Sequence, residues 1–141
     1  MIFLEMWFRR ILFILAGLFI LNASFSQYLG WDLKRISGSI KWDCNCPFEK
    51  KFNDNEKAVF VFPDEYGVVE MTFYFNSKNK CFGYKLSYYK NFDETINNFI
   101  KKSFEYNADE DFYENNESFL FQQADSEKKT IHIISKHYTS Q

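Results

Sequence analysis

The chain predicts an α+β fold, an antiparallel sheet of about five strands with helices packed on one face, in the order α-β-β-β-α-β-β behind an N-terminal export leader. Three observations predict it. Apolar residues alternate with polar ones between Ala58 and Tyr89, the period of a half-buried strand. From Phe92 the period changes to that of a helix, and a second alternating stretch follows before the C-terminus. The 141 residues are 46% hydrophobic and 26% charged, a balance that excludes collagen, simple disorder and a polytopic membrane protein and suits one domain.

Residues 1–26 come first and stand apart. Arg9 and Arg10 precede an unbroken apolar run from Ile11 to Leu21, and small residues follow at Ser24 and Ser26, the layout of a secretory signal peptide. Such a run makes a helix of roughly 16 Å, about half of a hydrocarbon core, so a stable span is not expected. Cleavage after Ser26 leaves residues 27–141 as a single exported α+β domain, periplasmic or secreted. Losing Arg9, Arg10 and Glu5 turns 17 basic and 19 acidic residues into 15 and 18. That slight acidity, with no basic cluster beyond pairs, argues against nucleic acid or an anionic membrane surface as main partner. Aromatics make up 21% of the full chain and each buries on the order of 150–250 Å², enough to build most of a core.

Leu29, Leu33, Ile36 and Ile40 follow one helical face, predicting a short helix from about Trp31 to Ser39 with Gly38 near its end. Lys41–Lys57 has Pro47 and no sustained period, and reads as a loop. Val59–Phe62 reads as a short strand closed by the turn Pro63–Gly67. Val69, Met71, Phe73 and Phe75 then share one face of a second strand. Asn76–Lys80 is a hairpin loop, and Phe82, Tyr84, Leu86 and Tyr88 form the apolar face of a third strand, with Cys81 on its outward face or at its start. Asn91 with Glu94 fits a capping box, and Phe92, Ile96, Phe99, Ile100 and Phe104 trace a helix to about Tyr106. A polar, acidic connector follows. Phe119 and Phe121 alternate in a fourth strand, Ala124–Lys128 turns, and Ile131 and Ile133 mark a fifth strand to about His137.

Three cysteines, Cys44, Cys46 and Cys81, lie in the exported part, where a disulfide can persist. A bridge from Cys81 to Cys44 or Cys46 would close a loop of just under 40 residues and stabilise the fold by about 4 kcal/mol on the chain-entropy account. A redox or metal-binding role lacks the usual two-residue spacer and a nearby His ligand.

Catalytic chemistry finds little purchase. His132 and His137 are five apart, on opposite faces of a regular strand, so a shared metal or an acid–base pair would require a break or bulge between them. No Gly-x-Ser-x-Gly elbow and no Gly-rich phosphate loop is present, and no cofactor is expected. The acidic 105–117 connector holds Asn107, Asp109 and Asp111 at the spacing of the first ligands of a calcium loop. The match then breaks, with Phe112 where Gly is needed and Ser118 where the bidentate Glu belongs, Glu117 standing one place early. A small-molecule or cation-binding domain built on that connector is the alternative to a non-catalytic protein-binding or envelope-associated module. For the latter, Tyr66, Tyr74 and Tyr89 are the candidate surface, predicted on or near the outer sheet face.

Two resemblances follow from these residues. Gly30-x-x-Leu33-x-x-Ile36 followed by a meander is similar to the exported β-lactamase-inhibitor-like and outer-membrane-assembly-lipoprotein folds, although the Gly-x-Pro that often follows the first helix there is missing. That resemblance implies a sheet face that binds protein. Ser24-Phe25-Ser26-Gln27 resembles the end of export signals of Bacteroidota-type bacteria, and the leader with an aromatic-rich meander, helix and hairpin resembles their small uncharacterised exported proteins. It implies a compartment and no activity, and the partner expected of the module is an unknown protein in the envelope or outside the cell.

Overall fold

The structure, a computed structural model, describes residues 27–44, 49–53, 56–63 and 67–141, with the backbone course alone for 43–44 and 49–53. The leader, Cys46 and Tyr66 lie outside the described residues. Helix α1 (Leu33–Cys44) leads to strands β1 (Glu49–Asn53), β2 (Lys57–Val61), β3 (Val68–Phe75) and β4 (Cys81–Tyr89). A 3-10 turn at Lys90–Phe92 leads into helix α2 (Asp93–Ser103). Strands β5 (Glu105–Asn107), β6 (Phe112–Glu114), β7 (Ser118–Ala124) and β8 (Lys128–Ser135) complete the chain. All pairings are antiparallel.

The described residues form a single sheet of eight strands in the order β1-β2-β3-β4-β8-β7-β6-β5. The fold is therefore α+β with an antiparallel sheet, larger than the five strands expected. A helix followed by a four-strand meander occurs twice, and the two meanders join where β4 pairs with β8. The three additional strands are β1, β5 and β6. Two of them are the sheet edges and the third lies next to an edge. Glu-Lys-Lys-Phe-Asn of β1 carries no apolar alternation, and β5 and β6 have three residues each. Edge strands stay short and charged, which suppresses sheet-to-sheet association and removes the periodic signal.

One face of the sheet is the core. A row of paired residues runs across it through Ala58, Phe73, Tyr84, Ile133, Leu120, Tyr113 and Tyr106. Beside it run Phe60, Met71, Leu86 and Ile131. Ile36 and Ile40 of α1 and Ile96 and Ile100 of α2 belong to the same buried cluster, so both helices cover this face. Tyr28 caps the row, packing edge-on against Trp31, Phe73 and Tyr84.

Helix α1 starts later and runs further than the sequence predicts. Asp32 caps it through its carboxylate, which accepts the Arg35 N–H at 2.8 Å. Gly38 is an interior helical residue with open space around it, and Ile40 beyond it is buried, so packing of the last turn overrides the glycine. At α2 the capping box does not form. Asn91 sits in the 3-10 turn, and the N-cap Phe92 makes no side-chain cap bond. Asp93 anchors that end instead, accepting the Tyr88 hydroxyl at 3.1 Å and pairing with Lys129 Nζ at 2.6 Å.

Two β-bulges change which residues face inward. Between Val68 and Glu70 the β3–β4 register shifts, so Val68 is buried while Val69 is only half-buried. Between Tyr74 and Phe75 it shifts again, leaving Phe82 as the extra residue of β4. Cys81 then points into the core, and Phe82 turns out towards Tyr74 with ring centroids 6.4 Å apart. The inward face expected to begin at Phe82 therefore begins at Cys81. In β7 the phase is the reverse of that expected for Phe119 and Phe121, because Leu120 is the fully buried residue.

Candidate functional site

The face opposite the helices carries the site. Its rows are read from the pairing: Lys57, Tyr74, Gly83, Ile134, Phe119 and Glu114 in one, Val59, Thr72, Lys85, His132 and Phe121 in the next, then Val61, Glu70, Ser87, Thr130 and Gln123. Tyr89 beside Lys128 continues it. Among the described residues no helix lies over this face, and most of its side chains are half-buried or exposed, Thr72 at its centre being buried. Phe121 and Ile134 are 38% and 44% exposed. Phe112 packs against Phe119 edge-on at 5.3 Å and against Phe121 at 5.5 Å, a small aromatic cluster separate from the core.

Cations lie beside the aromatic rings. Lys57 Nζ and Lys85 Nζ stand 6.0 and 5.8 Å from the Tyr74 ring centre, and Lys128 Nζ stands 5.9 Å from that of Tyr89. Lys136 lies over Phe119 at 4.8 Å while also pairing with Glu114 at 3.2 Å. These distances are those of ammonium groups attracted to ring quadrupoles. His132 lies between Lys85 of β4 and Phe121 of β7, its Nε2 3.2 Å from Gln123 Oε1. Partial burial, and then the Lys85 charge, hold its pKa below the ordinary 6.5, because both disfavour an added positive charge.

Of the tyrosines singled out from sequence, Tyr74 and Tyr89 stand half-buried on this face. The phenylalanines and Ile134 were missed. Strict alternation in Ser-Phe-Leu-Phe-Gln-Gln gives two possible inward sets, each ending in a glutamine, and the residue types do not mark the set of Leu120 and Gln122 as the inward one. Gln122 reaches α2 through Asn97 at 2.9 Å, which tolerates a polar group on the helix side.

The connector residues do not converge. Asn107 Oδ1 accepts the backbone N–H groups of Asp109 and Glu110. Asp111, with φ at 56°, accepts the Tyr106 hydroxyl. Glu117 belongs to the next turn, its carboxylate 3.5 Å from His137 Nε2. The β5–β6 hairpin is thus closed by its own polar side chains, as turns commonly are. Among the described residues, no group of three or more His, Cys, Asp or Glu is placed to hold a metal ion.

Cys81 is a free thiol, fully buried, with Sγ donating to the Gly83 carbonyl at 3.4 Å. Burial pushes its pKa up to about 12, so it stays protonated and unreactive. Neither prospective partner's side chain is among those described. The two histidines are separated as expected, with His132 on the open face and His137 beyond β8.

Comparison with known families, with curated proteins and with solved structures finds no match to this chain. Function therefore rests on the geometry of the open face. No helix among the described residues is long and apolar enough to cross a membrane.

Proposed function

We propose that the chain is a non-catalytic exported module that binds a protein partner, in the periplasm or outside the cell, through the open face of its sheet. The observation that carries this reading is the aromatic cluster Phe112–Phe119–Phe121 with Ile134 beside it, held on the face that no described helix covers. Antiparallel sheets readily leave one face to solvent, but that face is then polar. Here, large apolar side chains line up with Tyr74 and Tyr89, the residue types that dominate binding energy at protein interfaces. The leader of residues 1–26 supports export.

Site-specific photo-crosslinking in the producing cells tests the reading. A photoreactive side chain at Tyr74 or Phe121 is expected to give discrete protein adducts, and the same group at Lys101, an exposed residue of α2, is not. Adducts from Lys101 alone, or none from the face, would overturn it. The intact mass of the exported protein is expected to begin at Gln27, and a full-length mass would overturn the export part.

A further inference from the structure

We propose that the outer side of the helix layer docks on an anionic lipid bilayer, with Lys34, Arg35 and Lys41 of α1 among the phosphates and the Trp42 indole in the headgroup layer. This side lies opposite the open sheet face, so the inference is independent of the protein-binding reading. On α1, Lys34, Gly38, Lys41 and Trp42 follow i, i+4, i+7, i+8 with Arg35 beside them, one stripe of a helix. All five are exposed, while Ile36 and Ile40 on the other side are buried in the core. The same spacing on α2 brings out Glu94, Asn98, Lys101 and Lys102. Both helices cover one face of the sheet, so the two stripes look away from it together.

Folding creates a charge pattern that chain order hides. Along the sequence, acid is in excess and basic residues come only in pairs. On the helix layer, five cations, Lys34, Arg35, Lys41, Lys101 and Lys102, stand against two exposed carboxylates, Asp32 at the cap of α1 and Glu94 in the first turn of α2. Asp93 is bridged to Lys129, and position 43 falls about 140° round the helix from Gly38. Among the described residues, none of the five cations enters an ion pair. Arg35 instead stands 3.9 Å over the Trp31 ring. Screening confines attraction to within about 8–10 Å of a charged surface, so the layer that faces a bilayer counts for more than the net charge of the domain.

Trp42 decides between polyanions. It is 84% exposed, and tryptophan, apolar with one polar edge, settles at the level of lipid headgroups. Cations beside it on the same stripe then meet phosphate. A single-stranded nucleic acid is held in a groove by several stacked rings, whereas this stripe offers one exposed ring on a convex helix.

The experiment is co-sedimentation of the protein recovered from its own cells with vesicles of phosphatidylcholine alone or of equal parts phosphatidylcholine and phosphatidylglycerol. Stronger binding to the mixed vesicles, weakened by salt and accompanied by a blue shift of tryptophan emission, is expected. Lys34→Glu/Lys41→Glu is expected to lower the affinity about tenfold or more. Lys85→Glu/Lys128→Glu, the same charge change on the open face, is expected to leave it near wild type. Trp42→Ala is expected to weaken binding and abolish the shift, and melting curves check that all three variants fold. Equal binding to both vesicle types, equal loss in the two lysine variants, or an emission shift that survives Trp42→Ala would each overturn the inference. So would capture of a single-stranded oligonucleotide without vesicle binding. None of these outcomes touches the crosslinks expected from Tyr74 and Phe121, so the two readings fail separately.

Discussion

The two halves of the molecule share one element order and use their apolar residues in opposite ways. Among the described residues, the first half, from Tyr28 to Tyr88, supplies fourteen of the twenty residues of the buried cluster, and the second half supplies six. The first half has long strands, eight residues in β3 and nine in β4. The second half begins with two strands of three, and three of its phenylalanines form a cluster on the open face instead of in the core. The first half is the base of the structure. Among the described residues, the second supplies four of the five exposed large hydrophobic residues, Trp42 being the exception, and an element order repeated within a chain need not repeat a division of labour.

The largest expected effect comes from emptying the base. Phe73 is fully buried and touches Tyr28, Phe60 and Tyr84 through its ring, so Phe73→Ala is expected to cost about 3–5 kcal/mol in urea unfolding. Its counterpart across the row, Leu120→Ala, removes fewer atoms and is expected to cost about 2–4 kcal/mol. A Leu120 cost above that of Phe73 would break the comparison. Next in size is the tie between halves. Asp93 accepts from Tyr88 of the first and pairs with Lys129 of the second, the pair being a little over one-quarter exposed on each side. Asp93→Ala is expected to lose about 1–3 kcal/mol, chiefly by stranding the buried Tyr88 hydroxyl.

Smaller effects sharpen the picture. Gly38 lies inside α1 with no atom within 4 Å of the place a Cβ would take, so Gly38→Ala is expected to raise stability by about 0.5–1 kcal/mol. Gly67 is the opposite case. Its φ is +79° and a Cβ there would meet the Phe92 ring at 2.3 Å, so the same substitution is expected to destabilise. The smallest effect is a pH dependence. His132 has a folded-state pKa below its ordinary 6.5, so the folded state binds fewer protons than the unfolded one just below that pH. Its contribution is fully present above about 6.5 and declines as pH falls towards the lowered value. His132→Asn is expected to flatten that part of the stability profile, measured by melting from pH 7 to 5.

Most of the first half was legible in the sequence, because strands buried on one face keep period-two alternation. Met71, Phe73, Phe75, Tyr84, Leu86 and Tyr88 all face inward as their spacing predicts. Bulges were invisible. Alternation carries straight through Val69 and Phe82, and only the pairing shows where one extra residue reverses the phase. In the second half, β5 and β6 are too short for a period, and acidic side chains that suit an exposed edge read equally well as a loop. The candidate surface was half legible for a related reason. Tyr74 and Tyr89 alternate with inward residues whose burial is plain, whereas Leu120 between two phenylalanines leaves either set free to face the core.

The β4–β8 ladder also bears on how the chain acquires its shape. The other six pairings join strands consecutive in the chain, each closed by a short connection. The β4–β8 ladder joins residues roughly 40 to 50 positions apart, a far larger loop to close. Two locally formed meanders would have to meet along their inner edges before the sheet is complete. Until they do, β4 and β8 each present an unpaired, strongly apolar edge. At high concentration the β4 of one molecule could capture the β8 of another, so rapid zipping of this ladder protects the newly made protein from entangling with its own copies.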